Sequence, residues 1–256
     1  MTGDAALPQD FAGKVAIVTG ASRGIGYGIA EELIARGARV TITARKRAEL
    51  DAAVDELGGA AVALGMCGSA DDAEHQADTV ARTFETFGSV DVLVNNAGIN
   101  PYFGPILDAD LGVFRKTMEV NVLACLAWVQ QVCRVWMSEH GGTILNVSSR
   151  AALRSGSPLN LYGVSKAALV HLTSQLGAEL GPAIRVNAIA PAVVKTKFAR
   201  KLYEDDEEGK AAAYPLKRLG VPEDTAKLAA FLLGPDSSWI TGTCVAIDGG
   251  ATAAAY

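Results

Sequence analysis

The sequence predicts an α/β fold: a Rossmann-type doubly wound parallel sheet of about seven strands with helices on both faces. Three observations carry this. Short, β-branched apolar runs recur along the chain. They are near-continuously hydrophobic rather than alternating, as strands buried on both faces are. Amphipathic stretches long enough to cross over a sheet separate them, and a glycine-rich turn follows the first run and opens a helix.

The first run, Lys14–Thr19 (KVAIVT), leads through glycines into a helical pattern of Ile25, Ile29 and Leu33. Arg39–Thr43 (RVTIT) follows once Gly37 closes that helix. Ala60–Met66, Val90–Val94, Thr143–Val147, Ile184–Ile189 and Cys244–Ile247 repeat the theme. No Pro/Gly/Ser-rich linker divides the chain, so residues 1–256 read as one domain, with a flexible start over 1–10. Two segments break the rhythm. Gly98–Pro105 is a loop rich in turn formers, and 196–218 is polar with an acidic run from Glu204 to Glu208. The second leaves the carboxyl end of the sixth strand, where open parallel sheets bind ligands. It reads as a substrate lid or as a solvated helical insert, and the two are compatible.

Composition narrows the function classes. The net charge of −5 argues against a nucleic-acid partner, which would want a basic face. No uninterrupted apolar run reaches the roughly 18 residues of a membrane span. Met1–Gln9 lacks the charged-then-apolar layout of a signal peptide, so a cytoplasmic location is expected. Cys67, Cys125, Cys133 and Cys244 form no C-x-x-C pair and lie near no His at ligand spacing, so reduced thiols and no metal site are expected. His75, His140 and His171 are scattered, and none is nominated for chemistry.

The turn Thr19-Gly20-Ala21-Ser22-Arg23-Gly24-Ile25-Gly26 spaces its glycines G-x-x-x-G-x-G. Glycine permits the tight turn and lets backbone approach a pyrophosphate lying on the helix N-terminus. Gly20, Ser22, Gly24, Ile25 and Gly26 are therefore candidate cofactor contacts for a nicotinamide dinucleotide. An NAD site would want an acid at the end of the second strand to hold the ribose 2′-hydroxyl. This chain has Ala44-Arg45-Lys46-Arg47 there, with Arg23 in the glycine loop. Arg23 and Arg45 suit a 2′-phosphate, which favours NADP(H) over NAD(H). Arg47 reads as the start of a solvated helix.

Tyr162 and Lys166 lie one helical turn apart on one face. A free tyrosine, with its pKa near ~10, is a poor base at neutral pH. A neighbouring ammonium favours the phenolate, so the pair makes a proton donor to a carbonyl or an acceptor from an alcohol. Ser148-Ser149 ends an apolar strand, where a hydroxyl would face the cleft. Asn121 sits in an apolar helical stretch and needs partners if buried.

These motifs, with Asn95-Asn96-Ala97-Gly98 and Pro191–Thr196, resemble the short-chain dehydrogenase/reductase family from about Phe11 to Gly250. The resemblance implies Tyr162 as acid/base and Ser149, thirteen residues upstream, as hydrogen-bond donor to the substrate oxygen. It implies Lys166 as the group that holds the nicotinamide ribose and depresses the Tyr162 pKa, and Asn121 as a member of a proton relay through water. Asn96, with Ala97 and Gly98, would lie beside the adenosine ribose, and Val194 and Thr196 would hold the carboxamide. It also implies a homotetramer built on the helices bearing Asn121 and Tyr162, where Trp128, Val132, His171 and Leu172 fit either an interface or a core. Two departures stand out. Cys67-Gly68-Ser69 lacks the side-chain carboxylate often found after the third strand, and Pro191-Ala192 replaces a usual Pro-Gly.

Family membership does not set the substrate. The stretch Asn100–Pro105 with Lys195–Phe198 resembles the carbonyl reductase and retinal reductase branch, which implies reduction of a small or medium ketone or aldehyde. The alternative is a 3-oxoacyl thioester on an acyl carrier protein. Such carriers are acidic, and the acids of the lid disfavour their docking, though Lys195, Lys197, Arg200 and Lys201 offset this. A non-catalytic NADP-sensing protein on this fold would be expected to have lost Tyr162 or Lys166.

Overall fold

A computed structural model describes residues 7–155 and 159–254. One parallel sheet runs in the order β3-β2-β1-β4-β5-β6-β7. Its strands are β1 Val15–Val18, β2 Arg39–Ala44, β3 Ala63–Cys67, β4 Val92–Asn95, β5 Gly142–Val147, β6 Ile184–Pro191 and β7 Cys244–Ile247. All seven fall on the apolar runs. The third starts later than the run does: Gly58 and Gly59, at φ 112° and 73°, turn the chain into one 3₁₀ turn, Gly59–Ala61, before pairing with β2 begins.

The central strands are mostly apolar because they face two cores. In β1, Ala16 and Val18 point into a core with Ile29 and Leu33 of helix α1 (Gly24–Ala35), Leu50 of α2 (Arg47–Glu56) and Ala229 of a later helix, Pro222–Leu233. Ile17, between them, points to the opposite core, with Val80 of α3 (Ala73–Phe87) and Trp128 and Val132 of α4 (Leu111–His140). Leu176 of α5 (Asn160–Glu179) completes that layer.

By length and composition α4 could cross a membrane, but Trp128, Val129, Val132 and Met137 bury its apolar side in the core. Trp128 and Val132 are thus core residues and do not face a second copy, because the sheet beneath α4 consumes them. Leu172 also packs on this core, and only His171 of the four is exposed. The sequence gives no sign that α4 widens into π turns at Glu119–Leu123 and Cys133–Met137. At the start of the chain, residues 1–6 lie outside the described part. Gln9 donates to the Ala35 carbonyl at 3.1 Å and Asp10 pairs with Arg36 at 3.4 Å, so the end of the expected flexible segment is tied down.

The strand order reverses between β1 and β4, so their carboxyl ends open a crevice. Behind it lies a buried amide chain. Asn95 Nδ2 donates to Asn146 Oδ1 at 2.9 Å and to the Cys125 carbonyl at 3.3 Å, and Asn146 Nδ2 donates to Thr173 Oγ1 at 2.9 Å. This ties β4 and β5 to α4 and α5, the two helices that bring Asn121 and Tyr162 to the crevice. Replacing Asn146 by Ala removes one buried hydrogen bond from each neighbour, leaving Asn95 Nδ2 the Cys125 carbonyl and Thr173 the Leu169 carbonyl. The expected loss is about 2–4 kcal/mol, read as a lower urea midpoint with unchanged slope.

Candidate active site

The glycine loop is shaped by its neighbour strand. Thr19 Oγ1 accepts the backbone N–H groups of Asn96 and Ala97, each at 3.0 Å. Asn96 Nδ2 donates to the carbonyls of Thr19 (2.8 Å) and Gly20 (3.0 Å). Gly20 has φ 64°, and a Cβ there would lie 2.9 Å from the Ala97 Cα. At Gly26 a Cβ would fall 2.4 Å from Asn96 Nδ2, so this glycine serves packing behind the crevice wall. Asn96 lines the crevice, but its amide hydrogens are spent on the loop. It therefore shapes the phosphate turn from the crevice wall.

The crevice is a cavity of about 750 Å³ lined by Gly20, Ser22, Arg23, Gly24 and Ile25 at one end and by Ser149, Tyr162 and Lys166 at the other. Arg45, Asn96, Ala97, Gly98, Val194 and Thr196 line it between them. Of the predicted residues, only Gly26 and Asn121 are absent from its wall. The N-terminus of α1 has no side-chain cap and no acidic residue in its first turn, so its free N–H groups face the cavity. That donor set fits a pyrophosphate. Thr196 packs on this turn, its Cγ2 lying 3.2 Å from where a Gly24 Cβ would be. Ala192, where the resemblance leads one to expect glycine, has no positive φ. Lys217 is the one non-glycine residue with positive φ among the described residues.

Two features of the adenosine end escaped the sequence reading. Glu49, one turn into α2, pairs with Arg23 and, at 3.0 Å, with Lys46. Its carboxyl is held below the usual value, first by the Lys46 hydrogen bond. Arg45 is exposed and has no ion pair among the described residues. Asp71 supplies a carboxylate four residues beyond β3, paired with Lys116 and accepting from Ser69. Lys116 and Ser69 hold its pKa down. Cys67-Gly68-Ser69 itself carries no carboxylate, and Asp71 is the acid of this loop that lines the cavity.

At the catalytic end Ser148 and Ser149 separate by role. Ser148 Oγ donates to the Lys166 carbonyl at 3.0 Å, locking β5 to α5, while Ser149 lines the cavity beside Tyr162. Gly163 lets α5 pack on the turn after Ser149, since a Cβ would lie 2.7 Å from the Ala151 carbonyl oxygen. Asn121 is fully buried. Its Oδ1 accepts the Ile99 N–H at 2.8 Å, and its Nδ2 donates to the Ile99 carbonyl and to Ser165 Oγ, each at 3.0 Å. Its side chain is therefore a brace between the Gly98 loop, α4 and α5. Lys166 Nζ donates to the Val147 carbonyl at 2.8 Å and lies 5.7 Å from the Tyr162 ring centroid.

Burial, and not the Lys166 ammonium, dominates the Tyr162 pKa in this arrangement. Burial pushes Tyr162 up to about 12, against a smaller downward pull from the Ser149 hydrogen bond. Burial also lowers Lys166. The ammonium is directed at a backbone carbonyl beneath the ring and not at the phenolic oxygen.

The geometry is matched by the comparisons. The family described as Enoyl-(Acyl carrier protein) reductase matches residues 20–252. The Homo sapiens protein named Dehydrogenase/reductase SDR family member 4 is 40% identical over 244 residues, covering 94% of this chain and 88% of its own. The chain belongs to the short-chain dehydrogenase/reductase family. It is an oxidoreductase of that family, acting on CH–OH or carbonyl groups. The short-chain dehydrogenase/reductase SDRA of Arabidopsis thaliana is 38% identical, with 95% of this chain and 96% of that one covered. A family structure from Brucella melitensis, described as a glucose/ribitol dehydrogenase, superposes with TM-score 0.90 at 31% identity over 96% of this chain and 99% of that one. A blue fluorescent protein from a metagenomic library, solved in complex with NADPH, gives 0.86 at 34% identity over 96% and 100%.

A tyrosine whose folded pKa is raised keeps its proton where the unfolded chain has lost it. Wild type therefore loses stability between pH 10.0 and about 12, where the unfolded Tyr162 ionises and the folded one does not. Spectrophotometric titration of the cofactor-free protein should show no Tyr162 phenolate below about pH 11 when compared with Tyr162→Phe.

Proposed function

We propose that this enzyme reduces a ketone or aldehyde to an alcohol, reversibly, with NADP(H) as hydride carrier and Tyr162 as acid/base. One observation carries the reading. A buried, protonated phenol flanked by Ser149 closes one end of a cavity whose other end is an uncapped helix N-terminus with arginines beside it. NADPH bound there supplies the hydride. Tyr162 donates its proton to the carbonyl oxygen, and Ser149 orients that oxygen by a second hydrogen bond. Lys166, charged beneath the Tyr162 ring, favours the phenolate left behind. Asn121 keeps the Gly98 loop and α5 in register while this happens.

The cofactor preference rests on charge. Arg45 stands where an NAD site would carry an acid, and it is free to grip a 2′-phosphate. The metagenomic structural neighbour in complex with NADPH supports this. Glu49 competes for Arg23 and lowers the affinity a dianionic group would otherwise find. The small-molecule reading is favoured over a carrier-protein thioester because part of the positive charge at the lid is paired with its own acids. Lys195 pairs with Glu207 at 2.7 Å and Arg200 with Glu204 at 2.9 Å, which reduces the positive charge offered to an acidic carrier.

A panel of aldehydes, ketones, diketones and acetoacetyl thioesters, with and without acyl carrier protein, tests the reaction by NADPH oxidation. Tyr162→Phe should abolish turnover while NADPH still quenches protein fluorescence at nearly the wild-type concentration; parallel loss of both would remove the assigned role. Arg45→Ala should weaken NADPH by about tenfold or more with NADH little changed, a step worth ~1.4 kcal/mol. Glu49→Gln should move NADPH affinity the other way, upward, with no matching change for NADH.

A further inference from the structure

The geometry points to an oxo acid as substrate, its carboxylate held by Arg154 at the catalytic end of the cavity. This rests on the proposed carbonyl reduction and names the chemical class that the site takes.

The charges lining the cavity are divided by end. Its two acids, Glu49 and Asp71, both lie at the adenosine end, and each is paired there. Around Tyr162 the lining holds Arg150, Arg154 and Lys210 and no carboxylate. The pyrophosphate and 2′-phosphate of a dinucleotide would be held by the glycine loop and Arg45, and would not account for these three. The chain as a whole carries −5, so a one-signed cationic wall is not a reflection of composition.

The three are not equivalent. Arg150 is near enough to Asp248 to balance its charge. Lys210 sits on the lid helix Glu207–Ala212, without an ion pair among the described residues. Arg154 is the fixed one. It follows the short turn Arg150–Leu153, which packs on α5 at Gly163, next to Tyr162. Its Nη1 donates to the Thr252 carbonyl at 3.2 Å, which holds the guanidinium in place and satisfies only part of its donor set. No carboxylate pairs with it among the described residues. A half-buried guanidinium with spare donors is built for a planar carboxylate. Phe103, Leu159, Phe198 and Leu202 line the space between, so the carbon skeleton that joins carbonyl to carboxylate meets apolar walls.

The test pairs each oxo acid with its own methyl ester: 4-oxopentanoate and 4-oxo-4-phenylbutanoate against the corresponding esters, with NADPH oxidation as readout. Wild type should favour the acids in kcat/KM by about tenfold or more, the size of one charge-assisted pair. Arg154→Gln should collapse the acid-to-ester ratio towards one through KM, Arg154→Lys should restore part of it, and Lys210→Ala should lower it less. Calorimetric titration of the NADP⁺-bound protein with 4-hydroxy-4-phenylbutanoate reads the same contact without turnover. Esters reduced as well as acids, or a ratio that survives Arg154→Gln, overturns the inference and leaves carbonyl reduction standing. Should Arg154→Gln fail to fold, the wild-type ratio and Lys210→Ala decide alone. Arg154-dependent binding of the hydroxy acid with no reduction of any carbonyl would keep the subsite and sink the proposed reaction.

Discussion

The junction between β1 and β4 is the constraint on which the site depends. At that point a parallel sheet must send successive chains in opposite directions, and the backbone groups at both strand ends lose their ladder partners. Thr19 Oγ1 takes the two N–H groups of Asn96 and Ala97, and the Asn96 amide takes the carbonyls of Thr19 and Gly20. The exchange is reciprocal, so neither loop can shift without orphaning polar atoms of the other. The glycine turn, the N-terminus of α1 and the Gly98 loop are thereby held in one frame.

A second buried polar layer transmits that frame to the catalytic end. Asn95, Asn146 and Thr173 cross from β4 through β5 to α5, and Asn121 joins the Gly98 loop to Ser165 on the same helix. Buried amides of this kind cost desolvation, and the hydrogen bonds they make between elements offset it and add specificity. They fix where α5 stands, and with it Tyr162 and Lys166. The ammonium of Lys166 and the phenol of Tyr162 are both driven towards their neutral forms by burial. An anionic cofactor is the natural correction for one of these, since added negative charge beside Lys166 favours its charged form.

The distribution of charge shows the same economy. An acidic protein carries a cavity that is cationic along nearly its whole length, with its two acids already paired. Low-dielectric walls focus such a field onto what enters. At the lid, Lys195 and Arg200 are paired with its own acids, while Lys210 has no ion pair among the described residues.

The strands, the phosphate turn and the Tyr162/Lys166 pair were legible in the chain because each depends on local pattern: strand burial, glycine at a tight turn, and helical spacing of four. Arg45 was legible for the same reason, standing at a strand end. What the chain did not show depends on residues far apart in sequence. Asp71 reaches the cavity wall beside Lys116 only because its loop folds back onto α4. Glu49 reaches Arg23 only because α2 lies over the glycine turn. The carbonyl under Lys166 and the burial that raises the Tyr162 pKa come from strands and loops that spacing along the helix does not show. Asn121 and Asn96 prove to be braces because partners from other loops consume their hydrogen bonds. The sequence by itself determined the fold and the kinds of atoms present at the site. The tertiary structure decided which of them remain free to meet a ligand, because a hydrogen bond or a charge already spent within the protein is not available to anything else.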